Sequence, residues 1–101
     1  MFASQRSGMS TRSIDLQELR QAHFPPHDVL TDPADRFQRE HDLRSAMAVT
    51  NTEREEVGLI IRIASGDEVE YLSDMIELEG DFVEVRGGYA IPVKAILRVE
   101  I

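Results

Sequence analysis

Residues 57–101 read VGLIIRIASGDEVEYLSDMIELEGDFVEVRGGYAIPVKAILRVEI, and the period of this stretch decides the fold. Apolar and polar residues alternate, Val and Ile are frequent, and turn-forming residues break the pattern at short intervals, as in a series of short strands. Leu59, Ile61 and Ile63 share one side of the first run, with Arg62 and Ala64 on the other. Ser65-Gly66-Asp67 turns the chain, after which Val69 and Tyr71 point inward and Glu68 and Glu70 outward. Ile76 and Leu78 then alternate with Glu77 and Glu79, and Val83 and Val85 with Glu84 and Arg86, across a turn at Glu79-Gly80-Asp81. Gly87-Gly88 makes a third break before Tyr89-Ala90-Ile91. Pro92 has no ladder N–H, so PVKAI predicts a single helical turn, and Leu97, Val99 and Ile101 form the closing strand.

Short strands bury little as an open sheet, and closure removes free edges. The pattern therefore predicts an antiparallel, strongly bent, five-stranded small barrel of the Sm/SH3 type over 57–101. Its last strand is expected to pair with its first and to shelter the terminal Ile101.

Upstream the period is helical. In SIDLQELRQA, Ser13 is the expected cap, Asp15 suits the positive end of the dipole, and HFPPHD ends the short helix. TDPADRFQREHDLRSAMAVTN carries a stronger signal: Asp32 as N-cap, Pro33 at the first helical position and Asp35 in the first turn. A helix over 33–48 follows, with Phe37, Leu43, Ala46 and Met47 on its apolar side, Arg36, Arg39, Asp42 and Arg44 elsewhere, and Asn51 as the stop. The organisation expected is α+β, with a flexible N-terminus at 1–12, a helical segment at 13–56 and the barrel at 57–101, the helix 33–48 belonging to the barrel domain.

Composition narrows the function. With 42% hydrophobic and 30% charged residues the chain is globular in type, and its apolar runs fall far short of the ~20 residues of a membrane helix. No secretory signal is read at the N-terminus and no membrane association is expected. Absence of cysteine removes disulfides, thiol catalysis and thiolate metal sites, and a cytoplasmic location is the default expectation. The net charge of −8, with Lys94 the sole lysine, argues against backbone binding of double-stranded DNA. It suits solubility, or an acidic surface that meets a basic protein partner.

A helix followed by a bent sheet, with a helical turn before the last strand, resembles the Sm-like fold. LIIRIASGDEVE looks like its opening strands, and VEVRGGYAIPVKAI is similar to its second motif, an apolar strand, Arg-Gly and an apolar return. That resemblance implies an RNA-binding ring in which Arg86 and Gly87 approach a nucleotide. Asp74 stands in YLSDMIELEGD without the family's accompanying Asn, and the second strand has no internal glycine. EVEYLSDMIELEGDFVEV is also similar to the middle strands of the Rho-binding antiterminator family, a related barrel that is acidic and meets a protein partner.

The residues leave three readings. The first is a non-catalytic interaction or regulatory module, a homo-oligomer or the binder of a protein partner, working through barrel edges or an acidic face. The second is the RNA ring, with Arg86, Gly87, Tyr89 and Lys94 as its site; Tyr89 would stack on a base, where the plainer role is packing over a turn. The third is a metal-dependent enzyme on His23, His27 and His41, set against ordinary surface histidines. His23 and His27 have the spacing of helical zinc ligands, but Phe24-Pro25-Pro26 between them prevents that helix. The carboxylates Glu68/Glu70, Glu77/Glu79 and Asp81 alternate with core residues and read as a solvated face rather than an acid–base pair. Ser73-Asp74 has no histidine in the strand half to complete a nucleophilic site. No catalytic residue and no cofactor are expected.

Overall fold

A computed structural model describes residues 11–101. Residues 1–10 of the expected flexible N-terminus lie outside the described residues, whereas Arg12–Ser13 form a short strand, β1. There follow helix α1 (Leu16–Gln21), helix α2 (Pro33–Glu53) and strands β2 (Val57–Arg62), β3 (Glu68–Ser73), β4 (Ile76–Glu79), β5 (Phe82–Val85) and β6 (Tyr89–Pro92). A 3-10 turn (Val93–Ala95) leads into β7 (Ile96–Glu100). The class is α+β, with one main helix.

The strands do not close into one barrel. They form a first sheet in the order β1-β3-β2-β7 and a second in the order β4-β5-β6. The closing strand does pair with the first strand of the strand-rich half: Leu59 lies opposite Val99 and Ile61 opposite Ile96. A register shift between Ile60 and Ile61 leaves Leu97 as the extra residue of β7. Ile101 falls beyond the strand and is 67% exposed, so the expectation that it is sheltered is overturned.

The reason for the open architecture lies at the seams. Ser73 ends β3 by bonding the backbone two residues on: its Oγ donates to Met75 O (2.6 Å) and accepts from Met75 N (3.3 Å). The chain thereby leaves the first sheet before β4 begins. Helix α2 then packs against both β4 and β7 and occupies the gap between their edges. Leu78 N–H on β4 points not at another strand but at Met47 Sδ, 3.3 Å away. At the β5–β6 turn α1 makes the contact: Arg20 Nη2 donates to Gly87 O (3.3 Å). Helix α2 thus lies against the edge strands of both sheets, and α1 against the β5–β6 turn.

Between the layers lies one apolar core, with Leu59 and Ile61 from β2, Val69 from β3, Ile76 from β4, Val83 and Val85 from β5 and Ile91 from β6. Leu43 and Ala46 of α2 and Leu19 of α1 complete it.

The N-cap of α1 and the C-terminus of α2 differ from expectation. Asp15, not Ser13, caps α1, its Oδ1 accepting from Glu18 N at 2.8 Å, because Ser13 is held in β1. Asp32 and Pro33 start α2 as expected, with Asp32 Oδ1 accepting from Ala34 N (2.9 Å). The helix runs on past 48 and Asn51 to Glu53. Thr50 and Thr52 bond their hydroxyls back to Met47 O and Ala48 O, and Arg54 takes the left-handed cap (φ 60°). Among the described residues no helix is long and apolar enough to cross a membrane.

Candidate functional site

The buried stripe of α2 is Arg39, Leu43, Ala46 and Thr50, spaced by four, three and four residues. Two assignments from the sequence are reversed. Phe37, expected on the apolar side, is 75% exposed, and Arg39, expected outside it, is buried. Burial of a cation needs a partner, and Asp28, in the connection between α1 and α2, supplies it. Arg39 Nη1 donates to Asp28 Oδ1 (2.8 Å) and Nη2 to Oδ2 (2.7 Å), while Nη1 also reaches Ile96 O at the head of β7 (3.0 Å). Arg36 Nε donates to Leu30 O (2.7 Å) and stands 3.5 Å from Asp28 Oδ2. Lys94 fastens the same connection, its Nζ donating to Pro26 O (3.1 Å) and its carbonyl accepting from Val29 N (2.9 Å).

The guanidinium bond from Arg39 holds Asp28 below its ordinary value of 3.8, against the opposing pull of its partial burial; the Leu30 amide and Arg36 add to the lowering. A carboxylate whose pKa is depressed by folding stabilises the fold fully above its unfolded pKa, and that share is lost as pH falls through the folded value. Urea unfolding followed from neutral pH to about pH 2 should therefore show stability falling below about pH 4, and falling less steeply in Asp28→Asn. Equal slopes for the two proteins would contradict this role for Asp28.

Two hollows flank Arg39. One, of about 390 Å³, lies between α2 and the β4–β5 turn against Phe37, Leu43 and Leu78. The other, of about 410 Å³, lies against Phe82, Pro92 and Lys94. Arg39, Asp81 and Val93 line both, so the two adjoin and together make up the groove between α2 and the second sheet. Its ends carry Phe37 and Phe82, the latter 48% exposed. Arg39 Nε is the one fully buried side-chain donor without an acceptor among the described residues.

Beside the groove lies the outward face of the second sheet. Glu77 stands opposite Glu84, Glu79 opposite Phe82, and Phe82 opposite Pro92. Like charges directly across an antiparallel pair repel. Among the described residues no cationic group lies within 4.0 Å of Glu77, Glu79, Asp81 or Glu84. The outward face of the first sheet is built differently. Arg62 pairs with Glu68 and Arg98 with Glu100, each at 3.2 Å, and Ile60 between them is only 2% exposed. The first face pairs most of its charges, though Glu70 has no cation within 4.0 Å among the described residues and Leu72 is 48% exposed; the second carries three unpaired glutamates, Glu77, Glu79 and Glu84, beside Phe82.

The residues singled out for RNA do not converge. Arg86 is exposed at the β5–β6 turn and bonds Asp74 through Nε (2.7 Å); this bond holds Asp74 below its ordinary value and raises Arg86. Gly87 takes the positive-φ corner of that turn (φ 100°), and its carbonyl is occupied by Arg20. Tyr89 packs against the core from β6. Lys94 lies beyond the opposite end of the β5–β6 hairpin, where Phe82 meets Pro92, and lines the groove instead.

Nor do the histidines gather. Among the described residues no three His, Asp or Glu side chains are placed to share a metal ion. His23 and His27 are exposed, and His41 on α2 stands 3.6 Å from Asp42. Comparison of the chain with protein-family models, curated proteins and solved structures returns no match.

Proposed function

We propose that the chain is a non-catalytic interaction module that meets a protein partner through the groove between α2 and the second sheet. The observation that carries this reading is the pair of exposed phenylalanines, Phe37 and Phe82, at the two ends of a groove floored by Leu43, Leu78 and Val93. Single exposed apolar residues are ordinary on protein surfaces, whereas two aromatic rings framing one concavity offer the anchors on which protein interfaces depend. A second copy of the chain suits this surface less well. A two-fold contact would set Glu77, Glu79 and Glu84 against their own images, so a different protein is the better occupant.

The test is a quantitative pull-down from cell extract with the intact chain and with Phe37→Ser/Phe82→Ser. Phe37 is 75% exposed and Phe82 48%, so the double variant is expected to fold, losing no more than about 0.5 kcal/mol at Phe37 and about 1 kcal/mol at the half-buried Phe82. The intact chain should retain a partner in near-stoichiometric amount, and the double variant should lose most of it. Retention of the same partner by both proteins would contradict the proposal, as would a stable ring of the intact chain in a solution mass measurement.

A further inference from the structure

The groove has a chemical character of its own. Its two hollows are apolar at Phe37, Leu78, Val93 and Phe82, and Asp81 lines both. The adjoining sheet face adds Glu77, Glu79 and Glu84, none with a cation within 4.0 Å among the described residues. The cations on the other rim are already engaged: Arg36 with Asp28 and Leu30 O, and Lys94 with Pro26 O. Arg39, whose side chain is 5% exposed, lines both hollows and keeps one donor, Nε, without an acceptor.

Together these features specify what the groove lacks. The carboxylates lack cations and the phenylalanines lack apolar cover. A polypeptide segment that alternates Lys or Arg with apolar residues offers both. Successive same-side residues of an extended segment repeat at about 7 Å, the spacing that also separates Glu77 from Glu79 along β4. A nucleic acid would bring phosphates to this carboxylate face, and a second copy would bring more carboxylates.

Resting on the interaction reading above, we infer that the groove and the acidic face beside it dock a basic, amphipathic segment of a protein partner. The cations of that segment lie over Glu77, Glu79 and Glu84, and its apolar side chains lie between Phe37 and Phe82. Association is therefore faster and tighter at low salt.

The test uses the full chain and two synthetic peptides of equal charge, acetyl-Gly-Lys-Leu-Lys-Leu-Lys-Gly-amide and its counterpart with Ser in place of Leu, titrated with amide chemical shifts as the readout. The Leu peptide should bind about tenfold tighter than the Ser peptide and shift the amides of β4, β5 and the turn between them. Glu77→Gln/Glu79→Gln/Glu84→Gln should weaken it about tenfold, the scale of several exposed ion pairs acting together. Phe82→Ser should do the same, while Glu55→Gln/Glu56→Gln, on the connection from α2 to β2, should leave it unchanged. Equal binding of the two peptides, or equal weakening by the Glu55/Glu56 variant, would reduce the effect to general charge attraction and overturn the inference. Self-association abolished by Phe82→Ser, in place of peptide binding, would overturn it in favour of a second copy. If the pull-down partner is lost with the phenylalanine double variant yet kept by the triple glutamine variant, the partner's basic chemistry is wrong and the interaction reading stands.

Discussion

Asp28→Ala is expected to lower the unfolding free energy by about 2–4 kcal/mol, somewhat under the cost of breaking a fully buried ion pair because Asp28 is 19% exposed. The carboxylate accepts two bonds from Arg39 and one from the Leu30 amide. Its loss leaves a guanidinium that is 5% exposed without a counter-charge, in a helix that cannot move away because Leu43 and Ala46 hold it to the core. Domains of this size are stable by only about 5–15 kcal/mol, so the variant should be near its threshold at moderate temperature. Asp28→Leu/Arg39→Met should recover much of the loss, because desolvation of the pair offsets most of its attraction and apolar replacements avoid both. The orphaned Ile96 carbonyl would keep the recovery incomplete. Urea denaturation of the single and double variants measures this directly. A single variant that loses under about 1 kcal/mol would mean that the clamp is no part of the fold's stability.

Leu43→Ala is the second large effect, expected at about 2–5 kcal/mol. Leu43 is fully buried on the helix that packs against both β4 and β7, so the cavity opens where neither sheet can close over it. The same deletion enlarges the hollow beside Phe37, which Leu43 lines. Partner binding should therefore weaken along with stability, unlike the Phe37 and Phe82 substitutions, which separate the two. Thermal melts read beside the pull-down distinguish these outcomes. Unchanged stability would contradict the placement of α2.

The strand half was legible because its signal is local. Alternation at Val69, Ile76, Val83 and Val85 identified inward positions without knowledge of any partner strand, and Pro92-Val93 marked the helical turn. Asp32-Pro33 located the start of α2 for the same reason. Closure was not legible, since it depends on which edges meet. A helix and a strand can both cover the edge of β4, and the choice is made by Met47 and Leu43, far away in sequence. Arg39 was misplaced because a basic residue on a helix reads as solvent-facing until its counter-ion is known. Its place in the 39, 43, 46, 50 spacing was the available clue. Phe37 lies off that spacing, which is why an aromatic residue stayed on the surface. The acidic face was foreseen as alternation at Glu77, Glu79 and Glu84; its lack of counter-cations follows only from the register of β4 against β5.

The groove exists because α2, and not β7, lies against β4. Nuclear Overhauser contacts across that seam test the arrangement most directly. The account predicts contacts from the Met47 methyl group to the Leu78 amide, and none between the backbone amides of β4 and β7. Direct amide–amide contacts between those two strands would show one continuous sheet in place of two, with no groove, and would contradict the account.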